Sequence, residues 1–330
     1  MITVASLPLM GHALPMASVV RALTDFGEEV TWATGESVRS IVERAGATLW
    51  PLPFRPWVSA PTFHDAALQF VADSPEQVQA CKGLPPGPIL ADPSMVGVHA
   101  YACAEDRHLT ILGVFPFLGV SIGASGVLQA TVEDFEPRVA WLDDPVTFVG
   151  PLVPRTTWET PPWWKDIPKG APIVIVVQST LAPDPRDLVI PALEGMQSVP
   201  VITIANADPS VGPYCAPWLP FGSMLHEARC LVTSGGYGGI QAAIKAGVPV
   251  VVVGEANDWA LNGWRVEYSG IGKHLRPPYT PDRIRDAVVE VLLTPRFTER
   301  ARELRDRCPK GFAEDRVARI MMDYRMREAA

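Results

Sequence analysis

Short apolar runs alternate with amphipathic stretches along most of this chain, and that alternation constrains the fold more than any other feature. Residues 2–6 form an apolar run. Met16, Val19, Val20 and Leu23 then recur at helical spacing, and Gly27 is placed to end that helix. Residues 30–34 are β-rich; Val38, Ile41, Val42 and Ala45 give a second amphipathic face, stopped by Gly46; residues 48–50 give a third strand. Residues 89–91 and 109–114 continue the series, with a helix after Asp92, and residues 147–149 close it. In the second half, residues 173–177, 201–204, 230–233 and 248–253 are nearly continuous apolar runs, as strands buried on both faces are. Helices are expected at 184–196, 238–246 and 259–268, and from 281 onward the chain reads as helices only. Strands separated by helices of this length imply βαβ units and parallel sheets. The expectation is an α/β protein of two Rossmann-like domains, at 1–150 and 172–330. A Pro/Trp-rich linker spans 151–171, and the C-terminal helices are free to pack back on the first domain. Between residues 51 and 88 prolines and aromatics dominate, and helical periodicity is weak.

Length and composition fit this reading. A chain of 330 residues suits two domains, each able to bury its own core. With 48% hydrophobic and 19% charged residues it is not a disordered chain. A net charge of −8 offers no electrostatic footprint for nucleic acid. The five cysteines (81, 103, 215, 230 and 308) form no CxxC pair and read as reduced thiols of a cytoplasmic protein, so neither a disulfide framework nor a zinc site is expected. No run of 18 apolar residues predicts a membrane span, and no basic region precedes the first apolar run, so a signal peptide is not expected.

Four places carry candidate chemistry. Thr233-Ser234-Gly235-Gly236-Tyr237-Gly238-Gly239 joins an apolar strand to an apolar-faced helix. Glycines let a ligand approach the backbone, and the helix N-terminus offers unpaired N–H groups and a positive dipole end. A tight turn without ligand has the same sequence, and the spacing is neither a dinucleotide fingerprint nor a Walker loop. His12 follows the first strand, where open parallel sheets bind ligands, and could take a proton from a hydroxyl or simply be satisfied locally. Asp92, at another strand end, could orient His12 or cap a helix. Asp258 and Asn262 follow the run at 248–253 and could accept sugar hydroxyls or cap the next helix. Trp158, Trp163, Trp164, Trp218, Trp259 and Trp264 could stack on a ligand or pack.

Taken in order, these residues resemble a known family. Gly11-His12-Ala13-Leu14-Pro15-Met16, then Arg21-Ala22-Leu23 and Val30-Thr31-Trp32-Ala33-Thr34, resembles the N-terminal signature of nucleotide-sugar-dependent family 1 glycosyltransferases of the GT-B fold, in their bacterial natural-product branch. Val149-Gly150-Pro151 resembles the motif before the family's linker. Trp218-Leu219-Pro220, Leu225, residues 231–238, Ala246-Gly247-Val248-Pro249 and Asp258 with Asn262 resemble its donor-binding motif. Three positions depart: the family usually has His where Ser234 stands, Thr or Ser at Gly239, and Gln at Trp259. The strand-end Gly-Ser is here Gln178-Ser179. The chain is also short around 51–88 and 120–145, which correspond to acceptor-site loops.

The resemblance implies two domains facing across a cleft and a metal-independent, inverting transfer of a sugar from a thymidine or uridine diphosphate donor to a small apolar acceptor. No cofactor is implied beyond that co-substrate. His12 would be the general base and Asp92 its orienter. Ser179, Thr180, Ser234, Gly235, Gly236, Gly238 and Gly239 would hold the diphosphate, Trp218 with Leu219 the nucleobase, and Asp258 with Trp259 the sugar. Met10, Phe54, Phe115 and Phe117 would meet the acceptor, and Trp57, Phe63 and Phe70 add to that apolar set. The three departures also fit a silent relative that acts as a helper protein. A homodimer is a further possibility.

Overall fold

A computed structural model describes residues 1–58, 60–115, 123–137, 146–154 and 159–328; Phe117 and Trp158 lie outside them. The two parallel sheets implied by the alternation are present. Among the described residues the first has seven strands: β1 (Ile2–Ala5), β2 (Val30–Thr34), β3 (Thr48–Pro51), β4 (Ile89–Ala91), β5 (Leu109–Gly113), β6 (Gly126–Gln129) and β7 (Val146–Phe148). Their order is β3-β2-β1-β4-β5-β6-β7. The second contains β8 (Ile173–Val177), β9 (Ile202–Asn206), β10 (Cys215–Ala216), β11 (Ala228–Thr233), β12 (Val250–Val253) and β13 (Gly272–Leu275), in the order β10-β9-β8-β11-β12-β13. Both are doubly wound, and the order reverses between β1 and β4 and between β8 and β11. Ligand crevices of such sheets open beyond the carboxyl ends of the strands at that reversal.

Contacts divide the chain into two units. The first is Met1–Glu133, Arg138–Pro154 and Pro309–Ala330; the second is Asp134–Pro137 and Arg155–Cys308. Helices α1 (Met10–Asp25), α2 (Arg39–Arg44), α3 (Phe63–Ala72), α4 (Ser74–Ala80) and α5 (Val96–Ala104) belong to the first unit. The second holds α6 (Val189–Met196), α7 (Phe221–Met224), α8 (Tyr237–Ala246), α9 (Trp259–Ser269), α10 (Pro281–Leu293) and α11 (Pro295–Asp306). The last helix, α12 (Ala313–Glu328), returns to the first unit.

Strand alternation sorts the first core onto two faces. Ile2 and Val4 of β1 join Met16, Val19 and Val20 of α1, with Val317, Ala318 and Met321 of α12 closing the same cluster. Ala5 points to the opposite face, among Met95, Val98 and Ala102. The helical spacing of 317, 318 and 321 makes one apolar stripe of an otherwise charged segment. In the second unit Val174 and Val176 meet Val189, Ala192 and Met196 of α6 and Ile284, Val288 and Val291 of α10.

Several boundaries differ from the sequence reading. The first helix begins at Met10, so His12 lies in its first turn rather than in a loop, and Pro15 sits inside it. Residues 184–188 precede α6 as turn, because Gln178 draws that stretch down: its amide nitrogen donates to the Ala182 and Asp184 carbonyls. The 51–88 stretch contains α3 and α4. Thr62 caps α3 by accepting from the Asp65 N–H at 3.2 Å, and Pro75 starts α4 where a missing N–H costs nothing. Strands β6, β10 and β13 are short or carry polar residues, which hid them from a periodicity argument.

Candidate functional site

The reversal point of the first sheet brings His12 and Asp92 together. The Asp92 N–H donates to the Ala5 carbonyl at 3.0 Å, which extends the β1–β4 ladder by one residue and sets its side chain over the strand ends. His12 Nδ1 lies 3.2 Å from Asp92 Oδ2, across 80 residues of sequence. Asp92 Oδ2 also accepts from the Leu7 N–H at 2.9 Å, and Oδ1 from the Ser94 N–H at 2.8 Å. The carboxylate is fully buried, and burial by itself would raise its pKa. The charge and hydrogen bond of His12, with the Leu7 and Ser94 N–H groups, outweigh that and hold Asp92 below the usual carboxylate range. An ionised Asp92 favours the His12 tautomer with its proton on Nδ1, leaving Nε2 as the basic nitrogen. His12 is 16% exposed, enough for Nε2 to meet a substrate, and Phe115 stands beside its ring with centroids 5.6 Å apart.

His99 was not singled out from sequence. Its Nε2 lies 3.0 Å from the Asp92 carbonyl, and burial lowers its pKa against the pull of Asp92. A neutral His99 donating to that carbonyl braces the backbone that carries the carboxylate. Burial pushes the thiols of Cys81 and Cys230 up to about 11 and about 12, so neither is a thiolate nucleophile at neutral pH.

A cavity of about 670 Å³ opens in the first unit, lined from the segments that follow β1, β2 and β3. Phe54, Trp57 and Phe70 line it, with Leu7, Leu9 and Leu52. Trp57 stacks on Phe70 with centroids 5.5 Å apart, and its buried indole N–H has no hydrogen-bond partner among the described residues. Met10, Phe63 and Phe115 are not in this lining; Phe63 instead packs toward Phe115, 6.3 Å between centroids.

The carboxyl ends of β11, β8 and β12 gather the second group. After β11 the chain turns through Ser234 and Gly235, and Gly236 is the N-cap of α8; among the described residues no side chain caps that end. The glycines differ in role. Gly235 has φ +113°, and a Cβ there would come within 2.7 Å of the Trp259 Cβ. Among the described residues, a Cβ at Gly236 or Gly238 would meet nothing within 4 Å, and one at Gly239 the Thr233 hydroxyl at 3.9 Å, so these three border space open among those residues. Asn262 is fully buried and locks the turn: its Nδ2 donates to the Gly235 carbonyl at 2.7 Å and to Asp258 Oδ2 at 2.9 Å. Asn257, just before Asp258, holds a left-handed φ of +53°, which aims the end of that loop.

Other residues named from sequence fall into place differently. Ser234 is 4% exposed, and its hydroxyl accepts from the Ser179 N–H at 3.0 Å, tying the two strand-end loops together. Ser179 Oγ accepts from the Leu181 N–H at 3.2 Å, and Thr180 is exposed. Trp218 is 46% exposed, whereas Leu219 is buried in the core beside it. Trp259 is buried under the Gly235–Gly254 backbone. A cavity of about 920 Å³ in this unit opens near Pro172, Val201 and Val248 at the amino ends of the strands, away from this loop. Among the described residues no group of three or more His, Cys, Asp or Glu side chains is placed to hold a metal ion, and no helix is long and apolar enough to cross a membrane.

Comparison with known proteins gives a consistent set. Residues 209–321 match the family described as erythromycin biosynthesis protein CIII-like, C-terminal domain. The chain is 26% identical to 4'-demethylrebeccamycin synthase of Lentzea aerocolonigenes, covering 92% of this chain and 94% of that protein. Among solved structures, the calicheamicin glycosyltransferase CalG4 superposes with a TM-score of 0.81 at 21% identity, covering 100% of this chain and 99% of that one. The spinosyn rhamnosyltransferase SpnG, solved in complex with thymidine diphosphate, gives 0.79 at 15% identity, over 97% and 99% of the two chains.

Proposed function

We propose that this glycosyltransferase of the GT-B type, a relative of the family 1 enzymes of natural-product biosynthesis, moves a sugar from a thymidine or uridine diphosphate donor to a hydroxyl or amine of a small apolar acceptor, with inversion. The observation that carries this reading is the buried Asp92 carboxylate on His12 at the first sheet's reversal point. The acceptor O–H gives its proton to His12 Nε2 as its oxygen attacks the anomeric carbon. The bond from that carbon to the diphosphate breaks, and the nucleoside diphosphate leaves with the electron pair. Attack opposite the leaving group inverts the centre. Asp92 holds the tautomer and stabilises the imidazolium that forms. Such a base is needed because an alcohol is far from ionised at neutral pH.

The uncapped N-terminus of α8, bordered by Gly236, Gly238 and Gly239, supports a diphosphate cradle in which backbone N–H groups and the dipole take up the leaving-group charge. No further ion is required for that role. Trp218 is our choice for the nucleobase platform, and Asp258 for the sugar; Trp259 and Leu219 are packing. The cavity at Phe54, Trp57 and Phe70 is our choice for the apolar acceptor, with the orphan Trp57 N–H able to meet one acceptor oxygen. We place the reaction in the cytoplasm.

The test is thermal unfolding against UDP, TDP, GDP and ADP, followed by product analysis with the matching sugars. A nucleotide at 100 times its Kd adds about 2.7 kcal/mol of stability, enough to raise Tm visibly. A shift with UDP or TDP alone supports the donor site. No shift with any of the four, together with acceleration of a partner enzyme on mixing, favours the helper reading.

A further inference from the structure

Glu136 sits just after a short helical turn at Glu133–Phe135, in the four-residue segment Asp134–Pro137 that belongs to the second unit although its neighbours on both sides belong to the first. Its side chain is 4% exposed. One carboxylate oxygen accepts from Arg265 Nε of α9 at 2.6 Å, and the other from the Tyr237 hydroxyl at 3.2 Å. Arg265 is equally buried, and its Nη1 also donates to the Leu261 carbonyl at 3.3 Å. Phe135 packs on the Tyr237 ring, with centroids 6.2 Å apart. Tyr237 is the first residue of α8.

A buried ion pair is weak evidence of a stability role, since an apolar pair of similar volume often serves as well. What a charged, doubly hydrogen-bonded carboxylate supplies is direction. The Tyr237 hydroxyl is held by a group that is itself held by Arg265. That fixes the residue at which α8 begins, and with it the aim of the N–H groups on either side. Arg265 lies on α9, the helix that also carries Asn262, the side chain gripping the Gly235 carbonyl. One carboxylate from residue 136 therefore braces both halves of the glycine turn.

We infer that Glu136, through Arg265 and Tyr237, is a positioning residue that sets the affinity of the α8 N-terminus for a nucleoside diphosphate. The inference rests on the donor-site reading above. Preorganised donors bind an anion without reorganising, so loosening them weakens binding while the proton transfer at His12 is untouched.

The test uses the full-length protein and isothermal titration with TDP and UDP, alongside donor and acceptor kinetics. Tyr237→Phe removes one hydroxyl and leaves the ring packed on Phe135. We expect its Kd for the nucleotide and its donor KM to rise about 5- to 10-fold, with acceptor KM and Tm within twofold or a few degrees of wild type and any fall in kcat no larger than that factor, since the same N–H groups take up the leaving-group charge. Glu136→Gln should do the same. Glu136→Asp, which keeps the charge, should recover part of the affinity. The double variant Glu136→Met with Arg265→Leu separates structure from positioning: Tm near wild type with the affinity still lost supports the inference. Nucleotide affinity within twofold of wild type in both Tyr237→Phe and Glu136→Gln overturns it. Wild-type protein that binds neither nucleotide overturns the donor-site reading first.

Discussion

Asp92 accepts hydrogen bonds from Leu7, Ser94 and His12 at once, so replacing it changes more than charge. Asp92→Asn must turn an amide toward at least one of those donors and also loses the preference for the Nδ1 tautomer. Turnover should fall about 10²- to 10⁴-fold, and His12→Ala should fall by a similar factor. A His12→Ala enzyme within a few-fold of wild type would falsify base catalysis by that residue. The pH dependence follows from the same atoms. Asp92 is depressed from an ordinary value of 3.8, so its stabilisation is complete above that value and is lost as the pH falls through its lower native one. His99 is depressed from 6.5 by burial, so the unfolded chain takes up its proton more readily, and stability is lost as the pH falls below 6.5. Urea midpoints between pH 7.5 and 5 should therefore decline in wild type and decline less in His99→Gln.

At the scale of elements, the glycine turn predicts opposite outcomes for neighbouring substitutions. Gly235→Ala forces a left-handed φ on alanine and drives its Cβ into Trp259; a loss of about 1–3 kcal/mol is expected from the clash alone. Gly238→Ala sits in open space inside α8 and should stabilise the apoprotein by up to about 1 kcal/mol while weakening nucleotide binding. Measuring Tm and nucleotide Kd on both variants checks the pair. The sequence revealed this strand–turn–helix because glycine, an apolar run and a helical pattern are local signals. It also revealed His12 and Asp92, whose meeting across 80 residues was suggested by their places at the ends of strands and by the resemblance. It did not reveal α3 and α4, where Pro61 stands just ahead of the Thr62 cap and Pro75 sits in the first turn of α4 instead of breaking it. Nor did it reveal Glu136 with Arg265, 129 residues apart, since nothing in its spacing sets Glu136 apart from Glu133 and Asp134 beside it. Ser234 and Trp259 showed as departures in sequence, yet their use in holding loops together is a matter of packing that only coordinates display.

The whole molecule is one unit interrupted by another. The first unit needs residues after 308 to finish its core, since Val317, Ala318 and Met321 fill the same cluster as α1. Removing α12 exposes Val317 and Met321, each contributing roughly 1.5–3 kcal/mol by burial. A fragment of residues 1–154 should show poor near-ultraviolet dichroism and bind a hydrophobic dye. Supplying residues 309–328 by a short linker from residue 154 should restore it. An unaided fragment with a sharp cooperative melt would sink the idea. This threading also orders events on the ribosome. The middle unit has all its own residues once Cys308 has emerged, whereas the flanking unit waits with an open apolar face. Between Arg155 and Cys308 that wait lasts about 8–30 s at ordinary elongation rates, so the unit bearing the histidine is the one whose apolar face stays uncovered the longer during synthesis.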